Sequence, residues 1–270
     1  QLVYSTLSAA GPVSVTELTG VYATVAALLA STEPSRGVGE LWEAEGYRYL
    51  EATSGATDAH VVTAGGVSLY VQPERGGVAI DAFGAIGDGA TDDSQIIIDA
   101  LTAMSGTGTL ISFTAGTSYA VATRIKRASG IWTKTGFFFE DGAKLYALAS
   151  GFNNTDPTVR LTANSLVVDF SGEFDSPYTP NEGMTWIGGT VEYEFIDGRA
   201  VDGLALRNCK DVRVEGISFE SFPVCLAVRA DTLSGNWSIK NLSASNFTNA
   251  TDFGGTETED DVQMTLLALD

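Results

Sequence analysis

The amino-acid sequence implies a mainly β chain: a small N-terminal α+β module, then a parallel β-solenoid whose first coil is capped by a helix. Three features carry that expectation. Glycine supplies 30 of the 270 residues, above the roughly 7% average, and Gly, Ser, Thr, Asn and Asp divide the chain into short alternating runs as turns divide strands. The apolar set Val212, Val214, Ile217 and Phe219 recurs twenty-five positions later as Trp237, Ile239, Leu242 and Ala244. A period in the mid-twenties with strands and no intervening helices suits stacked solenoid coils. Finally, Pro73-Glu74-Arg75-Gly76-Gly77 separates two differently patterned regions, as Pro and paired Gly do at a boundary.

In the first region, residues 1–77, Val15-Thr16-Glu17-Leu18 leads into Val21, Val25, Leu28 and Leu29, which fit one face of a helix ending near Ser31. Pro34 and Gly37 stop it. Three strands follow, Glu40 to Ala44, Tyr47 to Ala52 and Val67 to Gln72, the first two joined by a tight turn at Glu45-Gly46. In the second region, residues 78–270, a short helix is expected from Asp92 to Met104. Thr91 or Asp92 is its N-cap, Asp92 and Asp93 complement the dipole, and Ile97, Leu101 and Met104 share a face. Strands then alternate inward residues: Ile111 and Phe113, Tyr119 and Val121, Phe137 and Phe139, Val191, Tyr193 and Phe195, Leu204 and Leu206. Ile187 and Val191 precede Val214 and Ile217 by twenty-seven and twenty-six positions as members of the same repeat. Stacked coils leave apolar ends; the helix covers the first. The strand-like Met264 to Leu269 has no such cover, so either the natural chain continues past Asp270 or a partner lies there.

Composition narrows the function. The chain is 44% hydrophobic and 18% charged, with 15 Lys and Arg against 34 Asp and Glu, a net charge of −19. This supports a folded core and excludes disorder. It also argues against nucleic acid, whose phosphates require cations, and against anionic lipid surfaces. The longest apolar stretch, Val21 to Ala30, is far short of a membrane span, so no membrane insertion is expected. The chain opens at Gln1 without a basic n-region and apolar h-region; either a leader has been removed or the numbering starts inside a longer product. Cys209 and Cys225, sixteen positions apart in strand-like sequence, fit two buried thiols better than a disulfide.

Asp81, Phe83, Gly84, Ala85, Gly87, Asp88, Gly89, Thr91, Asp92 and Asp93, with Ala82 inserted between the first Asp and the Phe, form a run followed by the capping helix. The run resembles the opening signature of the pectate-lyase-like superfamily. The resemblance covers about Val78 to Asp270 and implies a right-handed parallel β-helix, in agreement with the period. That family includes secreted polysaccharide lyases and hydrolases and also bacteriophage tailspikes, and fold does not choose between them. Ser54 to Val71 resembles the segment preceding this signature in tailspike-like proteins of phages and prophages. The combined resemblance implies a phage tailspike or tail-fibre protein located in the virion. It would be a homotrimer, attached to phage tail or baseplate proteins through a 1–77 anchor module, and its 78–270 β-helix would bind, and where catalytic depolymerise, host surface polysaccharide. A trimer would give Val21, Val25, Leu28 and Leu29 a partner surface; packing on their own small sheet is the alternative. Two other readings stay open: a secreted, extracellular polysaccharide lyase or glycoside hydrolase with 1–77 as an accessory module, and a purely structural virion protein.

Glycoside hydrolysis needs two carboxylates at defined separation. Glu192 and Glu194 face outward together, opposite Val191, Tyr193 and Phe195, with Asp169, Glu173 and Asp175 expected one coil earlier and Glu215 and Glu220 one coil later. Glu192, Glu194, Asp169 and Glu215 are therefore the catalytic candidates, against the plain reading of a solvated acidic face. A lyase would need clustered Asp for Ca²⁺ and a basic residue. Arg207, Lys210 and Arg213 lie near Asp202 and Asp211, but Asn208 to Asp211 has the look of a turn between coils. His60 is the only histidine, which argues against serine-type triads and zinc; no cofactor or metal site is expected. The acidic run Glu257 to Asp261 reads as an exposed loop before a Ca²⁺ site. Trp132, Trp186 and Trp237 are either sugar-stacking platforms or core, and Trp237, at an inward repeat position, is assigned to the core.

Overall fold

The structure is a computed structural model that describes residues 21–74, 77–155, 165–172, 179–194, 201–207, 209–222, 224–229 and 235–245. Val15 to Leu18, Glu173, Asp175, Phe195, Asn208 and the 257–269 segment lie outside the described residues, as do the side chains of Cys225 and Trp237. The chain divides between Gln72 and Pro73 into two compact units.

The first unit holds a five-stranded sheet in the order Val21–Tyr22, Leu41–Ala44, Tyr47–Glu51, Ser68–Val71, Val61–Val62. Leu41–Ala44 and Tyr47–Glu51 form the expected hairpin. Glu45 (φ 54°) and Gly46 (φ 88°) are both left-handed, as a two-residue turn matching the strand twist requires. The helix differs from expectation. Val21 belongs to a strand pairing in parallel with Glu43, and helix α1 spans only Val25–Leu29. Thr24 sets the break: its backbone is extended (φ −140°), and its hydroxyl accepts from Ala27 N at 3.1 Å, an N-cap that starts a helix and excludes what precedes it.

A buried carboxylate pins this unit. Glu51 is 3% exposed and accepts from Trp42 Nε1 (3.0 Å), Arg36 N (3.0 Å), Gly37 N (3.2 Å) and the Ser35 hydroxyl. Burial works to raise its pKa, but these four donors together outweigh it and hold the carboxyl below the usual range. The Arg36 guanidinium lies 4.0 Å from the Trp42 ring centroid, so the loop after Pro34 is fastened to the sheet.

The second unit is a parallel β-solenoid with three sheets. The first stacks Gly77–Ala79, Leu110–Phe113, Gly136–Phe139, Thr185–Ile187, Cys209–Glu215 and Gly235–Lys240. The second stacks Asp88–Asp92, Ser118–Val121, Lys144–Ala147, Thr190–Tyr193, Ser218–Glu220 and Ser243–Ser245. The third stacks Leu166–Asp169, Asp202–Arg207 and Val224–Arg229. The chain visits the sheets in rotation, so strand neighbours lie one coil away rather than along a hairpin.

The register fixes the repeat. Val212 pairs with Trp237, Val214 with Ile239 and Phe219 with Ala244, the expected offset of twenty-five positions. The preceding coil is offset differently: Val214 pairs with Trp186 and Phe219 with Val191, twenty-eight positions apart in both cases. Ile187 instead pairs with Glu215. The expected offsets of twenty-seven and twenty-six positions therefore fail. The stretch from Val191 to Val214, which carries the third-sheet strand, is longer by three positions than its counterpart from Phe219 to Ile239.

Inward side chains form ladders. Phe113 stacks on Phe139 (centroids 4.2 Å apart, planes at 3°), and Phe139 on Trp186 (5.6 Å, 12°). Trp132 and Trp186 are each 1% exposed, so they are core residues and not sugar platforms. Helix α2 spans Ser94–Met104 with Ile97, Leu101 and Met104 buried. It starts two residues later than expected, because Asp88–Asp92 is strand and Asp93 is the N-cap residue. Asp92 Oδ1 accepts from Ser94 N (3.0 Å) and Ala122 N (3.0 Å), tying the helix start to the next coil. The turn expected at Asn208 to Asp211 is also corrected: Cys209–Glu215 is a strand. Cys209 is a buried thiol donating to Phe170 O.

Candidate functional site

The four catalytic candidates fall on three sheets. Glu192 lies on the second sheet, with Glu194 one residue past its strand; Glu215 lies on the first sheet and Asp169 on the third. Asp169 pairs with Ala205, while the coil neighbours of Glu192 are Tyr146 and Glu220. The acidic cleft joining all four is therefore not formed. Asp169 and Glu215 occupy the same coils as expected but different sides of them. Glu215 is held by Arg213 (2.7 Å), which keeps its carboxyl below the usual range.

What the fold does assemble is the outward face of the second sheet. Leu145, Ala147, Val191, Tyr193 and Phe219 point inward and are buried. The strand alternation turns Lys144, Tyr146, Glu192 and Glu220 to the other side. Tyr146, Glu192 and Glu220 form one row across three coils; Lys144, Thr190 and Ser218 form the next. Lys144 Nζ donates to Glu192 Oε2 at 2.6 Å. That carboxylate raises the Lys144 ammonium above the usual lysine range. Lys144 Nζ also lies 5.9 Å from the Tyr146 ring centroid. Burial, with Glu194 and Glu192 nearby, raises the Tyr146 phenol, which therefore stays protonated at neutral pH. Glu194 accepts from Ala149 N at 2.9 Å.

The face thus presents one aromatic ring, one cation, hydroxyls and carboxylates at fixed spacing of about 4.8 Å per coil. Such a row can stack on a ring and exchange hydrogen bonds with a chain of hydroxyls. Lys144 and Tyr146 are not among the residues that sequence reasoning selects; the alternation of Lys144-Leu145-Tyr146-Ala147 is the signal that points to them. Of the basic residues considered for a lyase, two form ion pairs, and the side chain of Arg207 lies outside the described residues. Lys210 pairs with Glu182 at 3.3 Å, Arg213 with Glu215, and Asp202 is buried. Among the described residues no group of three or more His, Cys, Asp or Glu is placed to hold a metal ion. No helix among them is long and apolar enough to cross a membrane.

No protein-family model matches the chain, and no curated protein matches it. Solved structures do. The surface adhesin PfbA of Streptococcus pneumoniae aligns at 19% identity and TM-score 0.41, over 62% of this chain and 38% of the adhesin. A Family 28 exopolygalacturonase of Yersinia enterocolitica aligns at 12% and 0.35, over 73% and 44%. Tailspike gp49 of the Acinetobacter baumannii bacteriophage Fri1, a capsular polysaccharide depolymerase, aligns at 11% and 0.32, over 87% and 51%. The chain spans about two-fifths of the length of the adhesin.

The remaining candidates sit elsewhere. His60 lies in the first unit, where its Nδ1 accepts from Val71 N at 3.0 Å and its ring meets Tyr70 edge-on. Burial lowers its pKa, so it is a neutral structural acceptor. Asp93, from the signature run, accepts from Ile86 N and Gly87 N. This signature carboxylate therefore organises the entry to the first coil.

Proposed function

We propose that this chain is part of a trimeric, virion-attached phage spike whose β-helix binds host surface polysaccharide along the outward face of the second sheet. The carrying observation is the row Tyr146, Glu192, Glu220 beside Lys144, Thr190 and Ser218. An extended polyhydroxylated chain laid across the coils meets an aromatic face, donors and acceptors repeating at the coil spacing. The two carboxylates of this row, with Glu194 just past its strand, on a chain of net charge −19 favour a neutral or amino-bearing glycan over a polyanionic one. The first unit, residues 1–77 in this reading, attaches to a phage tail or baseplate protein. Support comes from the likeness of Ser54 to Val71 to segments preceding the signature in tailspike-like proteins. The coil is taken as right-handed, the hand adopted by nearly all parallel crossover connections.

A retaining glycosidase is the second reading, favoured by one observation. Glu192 and Glu220 are register neighbours, and the strand spacing of about 4.8 Å is close to the 5–5.5 Å separation of retaining carboxylates. Against it, Glu192 Oε2 is engaged by the Lys144 ammonium, whereas a general acid must carry a proton to its substrate. Release of reducing ends from capsular or lipopolysaccharide preparations that is lost in both Glu192→Gln and Glu220→Gln establishes the enzyme. Binding without release supports the spike. Light scattering should give about three times the chain mass; a monomer that also cleaves glycan would support the secreted enzyme instead.

A further inference from the structure

A cavity of about 240 Å³ lies on the third sheet's side of the solenoid, with Lys126, Arg127, Ser129, Trp132, Asp169 and Asn181 in its wall. Two anchors place it. Ile125 bridges in parallel to Val168, its N donating to Val167 O and its O accepting from Asp169 N. Trp132 is 1% exposed, and its N donates to Asn181 Oδ1 at 2.8 Å. Asn181 is 2% exposed in turn, its Nδ2 donating to Phe170 O (2.7 Å) and Ser171 O (3.2 Å). Residues 126–131 are therefore a short loop fixed at both ends, and the cavity lies against it.

Three charged side chains line this cavity, Lys126, Arg127 and Asp169. Asp169 is fully engaged. It is 1% exposed, its Oδ1 accepts from Ser171 N at 3.0 Å, and Lys126 Nζ (3.3 Å) and Arg124 Nη1 (3.6 Å) stand at its Oδ2. It offers a ligand no acceptor, and its charge meets that of Lys126. Arg127 is half-buried and forms no ion pair among the described residues. Its Nη1 donates to Ile131 O, which closes the loop onto its own guanidinium. The other edge, Nε and Nη2, has no acceptor among the described residues. That guanidinium runs beside Gly130, where a Cβ would stand 3.7 Å from Cζ and Nε, so no side chain covers it there.

We infer that this cavity binds the carboxylate of a small organic acid, held by Nε and Nη2 of Arg127 in two parallel hydrogen bonds. The wall selects the class. One positive charge is left to match, and a carboxylate matches it one for one. A cation would be repelled by Arg127 and Lys126, and a neutral or apolar ligand would leave the guanidinium uncompensated. A dianion would add surplus charge to a chain already at −19. At about 30 Å³ per water the cavity has room for roughly eight, so the acid can be as large as one sugar ring. The Ser129 hydroxyl, without a hydrogen bond among the described residues, is a donor or acceptor for the body of such an acid. A free aliphatic acid and an acidic sugar share this chemistry. No residue of the outward glycan face takes part, so the inference stands apart from the polysaccharide reading.

Saturation-transfer NMR on the full chain tests this at low salt, with millimolar acetate, glucuronate and, as a neutral ring, methyl α-glucopyranoside. At least one carboxylate should receive saturation while methyl α-glucopyranoside receives none. Acetate, alone or with glucuronate, identifies a free small acid as sufficient; glucuronate alone identifies an acidic sugar. Arg127→Lys keeps the charge but loses the two-pronged edge, and should weaken binding tenfold or more. Ser129→Glu, at an exposed position, sets a like charge in the wall and leaves the Arg127 bond to Ile131 in place. It should abolish binding with the melting temperature unchanged, and this arm holds if the arginine variant loosens the loop. Saturation of neither carboxylate, equal saturation of methyl α-glucopyranoside, or binding unaltered by Ser129→Glu overturns the inference. Polysaccharide binding that depends on Tyr146 is decided separately, because neither variant touches that face.

Discussion

Asp93 Oδ2 accepts a hydrogen bond from Gly87 N at 3.1 Å, and its Oδ1 accepts from Ile86 N at 2.9 Å. One carboxylate at the start of helix α2 thereby closes the loop that leads into the first coil of the second sheet. Gly87 has φ 64°, and a Cβ there would meet Thr117 Cγ2 at 2.3 Å, so the loop approaches the next coil too closely for a side chain. Asp93→Ala should destabilise the solenoid by about 1–3 kcal/mol, the cost of leaving two backbone donors without their acceptor. Chemical denaturation followed by far-ultraviolet circular dichroism reads this directly.

Gly136 tests the coil stacking itself. It has φ 150°, and a Cβ would lie 1.7 Å from the carbonyl oxygen of Thr185 on the next coil, with which it is in register. Neither backbone can yield without breaking the ladder, so Gly136→Ala should cost about 3 kcal/mol or more. Gly108, at φ 79° with nothing within 4 Å of where a Cβ would stand, is the control; Gly108→Ala carries only the left-handed strain, about 1–2 kcal/mol. Equal melting temperatures for the two variants would contradict the stacking register.

Acid should weaken the first unit in two stages. Burial is the main cause of the lowered His60 pKa, and the bond that Nδ1 accepts from Val71 N, possible only for the unprotonated nitrogen, favours the neutral ring as well; Asp58 opposes. A histidine depressed in the folded state binds fewer protons folded than unfolded. Its contribution is complete above the ordinary value of about 6.5 and is lost as pH falls through the folded value. Glu51 is also depressed, so its contribution is present above the ordinary glutamate value of about 4.3 and is lost as pH falls further. Fluorescence of Trp42, which donates to Glu51, should report the second stage, and His60→Gln should remove the first. Glu51→Ala should cost about 3–5 kcal/mol, because Trp42 Nε1 and two backbone donors lose a charged acceptor.

These elements are unequally legible in the sequence. Val212 and Trp237 announce the repeat because the coil between them is short. Phe137 and Trp186 are also neighbours in register, yet they stand forty-nine positions apart in the chain, and a fixed period cannot cross such an excursion. Val21 reads as helix because its spacing to Val25 and Leu28 matches a helical face, but the Thr24 cap overrides the spacing. Glu192 is legible from its alternation, while its partner Lys144 lies 48 residues away, beyond any local pattern. Asp169 reads as one carboxylate in an acidic row, because sequence gives the side of a strand but not which of three sheets it joins.

The outward face should tolerate change without loss of fold. Lys144 and Glu192 are about one-third exposed, so Lys144→Ala should alter stability by no more than about 1 kcal/mol. A large drop in melting temperature would mean that the pair supports the coil and is not a recognition surface.

Glycan recognition along Tyr146, Glu192 and Glu220 is what the proposed function stands on. The decisive experiment is binding of the full chain and of Tyr146→Ala to an array of bacterial capsular and lipopolysaccharide fragments, with circular dichroism melts of both. Binding should fall on a restricted set of neutral or amino-bearing glycans and weaken tenfold or more in Tyr146→Ala while the melts coincide. Binding unchanged by Tyr146→Ala, or no binding to any fragment, would rule out recognition along this face.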